Sequence, residues 1–90
     1  MNVFRLLGWK IKTLRLAKEL TQEELAFRVG AIDQAYISEL EHGKGNPTLQ
    51  IMYDLSQALE TPLSDLFSTD GAPKEVIGQA PRKRNMNALK

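Results

Sequence analysis

The segment Thr21-Gln22-Glu23-Glu24-Leu25-Ala26-Phe27-Arg28-Val29-Gly30 constrains this chain more than any other. Thr21 followed three residues later by Glu24 is a capping box. The threonine hydroxyl takes the Glu24 backbone N–H, and the carboxylate reaches back to the Thr21 N–H. Gly30 stands where a left-handed helix end would lie. The two signals predict a short helix over 22–29 with Leu25, Ala26 and Val29 on one face.

The flanking sequence repeats the theme. Val3, Leu7, Ile11 and Leu14 recur at helical spacing and predict a first helix over about 3–19. Asp33 is a good N-cap for a third helix that ends near Gly43. There Ile37, Leu40 and Glu41 share one face, and Ala35, Ser38, Glu39 and His42 point the other way. The stretch His42 to Pro47 is a turn-rich loop. Thr48 then caps a fourth helix, about 49–59, striped with Leu49, Met52, Leu55 and Leu59. Thr61 caps a fifth with Pro62 in its first turn, and Leu63, Leu66 and Phe67 complete the core set. The expected fold is all-α, five short helices without a strand.

After Phe67 the character of the chain changes. Gly71, Pro73, Gly78 and Pro81 interrupt it, Val76-Ile77 is an isolated apolar pair, and Arg82-Lys83-Arg84 follows. Residues 1–67 therefore read as one folded domain and 68–90 as a basic tail outside its core. The domain carries seven basic and nine acidic groups, the tail five and two. A nucleic-acid role would have to come from where the charges sit and not from their sum.

Several classes are disfavoured at this length of 90 residues. There is no cysteine, hence no disulfide framework, thiolate metal site or cysteine nucleophile. The single histidine, His42, makes no metal site by itself. No apolar run approaches the roughly twenty residues of a membrane span, and residues 1–12 lack a secretory pattern. A cytoplasmic protein without membrane association, cofactor, metal or evident small-molecule ligand is expected. Gly43-Lys44-Gly45-Asn46 lacks the spacing of a phosphate-binding loop. With no nucleophile–base arrangement either, no enzymatic activity is expected.

Thr21-Gln22-Glu23-Glu24-Leu25-Ala26, then Tyr36 to Lys44, then Asn46-Pro47-Thr48-Leu49, Ala58-Leu59 and Leu63-Ser64-Asp65-Leu66-Phe67 together resemble the Cro/phage-repressor-type helix-turn-helix family, also called the xenobiotic-response-element family. The likeness covers roughly residues 8–67. It implies a lambda-repressor-like five-helix domain, sequence-specific binding of double-stranded DNA, and a transcriptional regulator acting as a homodimer on a palindromic operator. The interface so implied contains Thr21, Gln22, Asp33, Gln34, Ala35, Tyr36, Ser38, Glu39, Lys44 and Asn46. Gln22 is expected at the DNA backbone, where it also supports the base-reading side chains. Lys44 and Asn46 match a loop that approaches a phosphate. Arg15 and Glu41 match an internal salt bridge between the first helix and the end of the third.

The residues have readings of their own. The Gln34 amide can read adenine bidentately, and Ala35 can touch only a thymine methyl. Glu39 is repelled by phosphates unless it accepts from cytosine or orients a cation. Tyr36 can reach a phosphate or pack its ring on the second helix. Two positions depart from the family. Glu19 stands where glycine usually ends the first helix, leaving it without a left-handed cap or with a strained one. One extra residue lies in Ala31-Ile32-Asp33. Leu63, Leu66 and Phe67 are more apolar bulk than one short helix would bury alone. They are expected in a dimer interface around 60–77, with Val76 and Ile77 beside them. A protein-interaction module of antitoxin-like or regulatory type is the alternative, and the acidic domain leans towards it.

Overall fold

A computed structural model describes residues 2–77. The order is α1 (Val3–Ala17), α2 (Gln22–Val29), α3 (Gln34–Glu41), α4 (Leu49–Ala58), a 3-10 helix (Leu63–Phe67) and α5 (Lys74–Ile77), with no strand among the described residues. None of these helices is long and apolar enough to cross a membrane. The cluster Arg82-Lys83-Arg84 and most of the tail lie outside the described residues.

Local chemistry sets the helix starts. Asn2 caps α1, accepting the Phe4 N–H at 2.9 Å. Thr21 and Glu24 close their box at 3.0 and 2.8 Å. Asp33 accepts from Tyr36 and Thr48 from Ile51. Such caps stabilise a helix by about 1 kcal/mol each.

The helix ends show a shared device. After α1, α3 and α4 the chain turns through a left-handed residue, Glu19 (φ 57°), Gly43 (φ 76°) and Glu60 (φ 55°). In each case the N–H of that residue and the N–H of the next fold back onto carbonyls of the last turn, as in Gly43 to Leu40 and Lys44 to Glu39. Glu19 thus provides a left-handed cap, at the strain a side chain incurs there. α1 accordingly stops at Ala17, two residues short of expectation.

Leu7, Ile11, Leu25, Ala26, Ile37, Leu40, Leu55, Leu59 and Leu66 form one buried cluster. α1 packs on α3, α2 on α3 and α4, and the 3-10 helix joins α1 to α4. Gly8 faces the end of α3 so closely that a Cβ there would collide with the Leu40 carbonyl oxygen.

Some expectations need correcting. The fifth helix is a 3-10 helix that Thr61 does not cap; the Thr61 hydroxyl donates to Asp65 at 2.9 Å. Leu49 is 65% exposed, and Ile51 with Met52 packs on the core instead. Leu66 is 0% exposed, so the protomer buries it and it offers nothing to a second copy, whereas Phe67 is 43% exposed. The chain does not leave the body at Phe67: α5 packs on α1, with Val76 and Ile77 half-buried.

Candidate nucleic-acid interface

Four side chains from three helices form a continuous hydrogen-bonded relay. Arg15 on α1 meets the Glu41 carboxylate side-on, Nε to Oε2 at 2.6 Å and Nη2 to Oε1 at 3.0 Å. Its Nη1 donates to the Leu20 carbonyl at 2.7 Å. The pair is nearly sealed, with side-chain exposures of 9% and 3%. The hydrogen bonds to Glu41 outweigh burial and hold the Arg15 guanidinium above its ordinary pKa, so it stays charged.

Glu41 then orients Gln22. A carboxylate only accepts, so Gln22 turns its amide nitrogen to Glu41 Oε1, at 3.0 Å. Its oxygen must face the other way, where it accepts from Gln34 Nε2 at 2.6 Å. Gln34 is left with one N–H and its amide oxygen at the exposed start of α3. That donor–acceptor edge complements N7 and N6 of adenine.

The other expected site residues fall around this relay. Thr21 and Asp33 hold the starts of α2 and α3 through their caps. The Thr21 backbone N–H above all keeps the Glu24 carboxyl below the ordinary glutamate range. Ala35 and Glu39 are exposed on α3 and Ser38 is half-buried between them. Glu39 has no ion-pair partner among the described residues. Tyr36 is half-buried against the core. Lys44 and Asn46 lie exposed in the loop after α3. His42 Nδ1 lies 2.7 Å from the Ser38 carbonyl, so that nitrogen carries the proton and Nε2 is free.

Between α2 and α3 the chain makes a tight turn, Gly30 to Asp33, with Ile32 packed on the core and Ala31 exposed. The turn keeps both caps, Gly30 closing α2 and Asp33 opening α3.

The sequence profile of the helix-turn-helix family matches residues 11–66, which span α2, the turn and α3. The chain belongs to the helix-turn-helix family, Cro/xenobiotic-response-element type. This helix-turn-helix protein is 42% identical over 74 residues to the uncharacterized HTH-type transcriptional regulator y4dJ of Sinorhizobium fredii, covering 81% of this chain and 95% of that one. It is 37% identical over 73 residues to the control protein C.BamHI of Bacillus amyloliquefaciens, covering 78% and 89%. Among solved structures it is similar to the restriction-modification controller protein C.AhdI of Aeromonas hydrophila. The TM-score there is 0.68 at 36% identity, over 71% of this chain and 96% of that one.

Two features of the helix-turn-helix site were not legible beforehand. The support that Gln22 was expected to give the base readers takes the form of a bridge from Glu41 to Gln34, and the Glu41 end of that bridge was not legible in the sequence. Gly8, a glycine interrupting a helical pattern, was a signal for a close approach, but its partner is thirty-odd residues away.

Proposed function

We propose that this DNA-binding transcriptional regulator acts as a homodimer that reads a two-fold symmetric site in double-stranded DNA. α3 enters the major groove with Gln34 on a base edge, and α2 crosses the backbone with Gln22 at a phosphate. Ala35 and Glu39 face the neighbouring bases, with Ser38 beside them. Lys44 and Asn46 approach the backbone beyond the end of α3. The observation that carries this reading is the relay from Arg15 through Glu41 and Gln22 to Gln34, which holds a donor–acceptor pair at the exposed start of α3.

Dimerisation follows from information content. One α3 reads only a few base pairs, too little against a genome of competing sites. Two copies about one helical turn apart, roughly 34 Å, read twice as many. Leu49, Tyr53 and Phe67 expose large apolar groups on α4 and the 3-10 helix, and this is the surface assigned to the second copy. Leu63 lies half-buried beside it. The likeness to C.AhdI, a restriction-modification controller protein, supports a regulatory role.

Selection of bound duplexes from a random pool tests the proposal. A palindromic consensus bound by two protomers is expected. Recovery of no sequence above background would overturn it.

A further inference from the structure

We propose that Arg5 is a DNA-phosphate ligand that works with Lys44 as a two-cation clamp on the backbone beyond the C-terminal end of α3. The inference rests on the DNA-binding reading and adds to it a residue from the far end of α1.

The domain has few cations to offer a polyanion, and most are engaged. Arg15 is sealed against Glu41. Lys18 and Arg28 both lie against Glu60, at 3.6 and 3.8 Å, and Arg28 also donates to the Ala58 carbonyl. Lys10 sits over the Trp9 ring. Of the described cations within residues 1–67, that leaves Arg5, Lys12 and Lys44 exposed and without an ion pair.

Two of those three converge on one turn. Gly43 ends α3 in the left-handed conformation, and the Lys44 N–H closes that turn onto Glu39. A Cβ built on Gly43 would stand 3.0 Å from Arg5 Cγ and 3.3 Å from Arg5 Cα. The first turn of α1 therefore rests directly on the residue before Lys44. Only glycine permits this approach, and Gly8 one turn along permits the matching approach to Leu40. Arg5 thus lies against Gly43, the chain neighbour of Lys44, at the end of the helix whose other end carries Gln34. Glu39, the exposed carboxylate of the same segment, forms no ion pair with either. Two unpaired cations held on rigid backbone, beside the element that enters the groove, suit a pair of phosphate oxygens.

The test is the salt dependence of duplex binding for the wild type, Arg5→Gln, Arg5→Lys, Arg5→Gln with Lys44→Gln, and Arg28→Gln. Each phosphate contact contributes about 0.9 to the slope of log K against log salt. Arg5→Gln should flatten the slope by about 0.9 per protomer, about 1.8 for the dimer, and weaken dimer binding roughly sixtyfold at 0.1 M salt, on cognate and random duplex alike. The double variant should lose about twice that slope. Arg5→Lys should restore the wild-type slope, and Arg28→Gln should leave it unchanged. An Arg5→Gln slope equal to that of the wild type overturns the clamp while leaving the DNA reading intact. A wild-type protein that binds no duplex at all overturns the DNA reading, and the clamp with it.

Discussion

The half of the molecule built from α1, α2 and α3 and the half built from α4 and the 3-10 helix share one apolar core, but the first adds a directed polar chain. In the first, polar side chains determine position: Arg15, Glu41, Gln22 and Gln34 form one directional chain, and no buried polar side-chain atom among the described residues lacks a partner. Exposed apolar groups occur in both halves, Phe27 at 86% among them, but the second has no comparable polar chain among its described residues. Leu55, Leu59 and Leu66 are sealed in the core while Leu49, Tyr53 and Phe67 face outward. Hydrogen bonds fix direction, which reading a base requires. Apolar contact does not, and it suits a surface that has only to find its own copy.

The sharpest way to break this contrast is at the neighbouring pair Leu66 and Phe67. Leu66→Glu would place an unpaired carboxylate in the core and should abolish folding, seen as loss of the cooperative melt. Phe67→Glu should leave the melt in place and shift sedimentation towards monomer. A dimer that survives Phe67→Glu would remove the 3-10 helix from the interface.

The polar half should respond next most strongly. Arg15→Ala leaves Glu41 buried with only the Gln22 amide, and the Leu20 carbonyl without its partner. It should cost about 3 kcal/mol in denaturant unfolding. Arg15→Met with Glu41→Leu should recover much of that stability yet still bind DNA poorly, because nothing then orients Gln22. Full binding by that double variant would separate the relay from recognition.

Smaller effects come from the strained helix ends. Glu19→Gly and Glu60→Gly relieve a left-handed φ and should each stabilise by about 0.5–1 kcal/mol. The exposed ion pairs lost with Glu60 offset little of this. The smallest effect concerns acid. The Glu24 carboxyl lies below its ordinary value of 4.5 when folded, so the capping box contributes fully above that pH. The contribution fades as pH falls through the folded value. The stability gap between wild type and Glu24→Gln should therefore be constant near neutrality and close in acid.

What could be read from the sequence was local. The capping box, Asp33, Thr48 and Gly30 act within four residues of themselves, so their types and spacing suffice. The 3-10 geometry after Pro62 was not legible, because the Thr61 hydroxyl had a competing partner in Asp65. Periodicity placed Leu49 in the stripe of α4, yet Ile51 and Met52 fill the core-facing side of that first turn and Leu49 is left exposed. For Leu66, apolar bulk alone could not distinguish a core residue from an interface one; packing between α1 and α4 decides it. The site residues on α2 and α3 and the Arg15–Glu41 bridge were named by resemblance, and the structure forms that bridge, while its extension through Gln22 to Gln34 depends on tertiary geometry that no spacing encodes.

On the proposed function, the relay presents Gln34 as an adenine reader. The direct measurement is a double-substitution cycle on the selected site, combining Gln34→Ala with replacement of the contacted adenine by 7-deazaadenine, which lacks the N7 acceptor. Gln34→Ala should weaken cognate binding by about 1–3 kcal/mol and leave binding to random duplex nearly unchanged. The deaza substitution should weaken the wild type and add little to Gln34→Ala. Fully additive losses, or an equal loss on cognate and random duplex, would contradict the account.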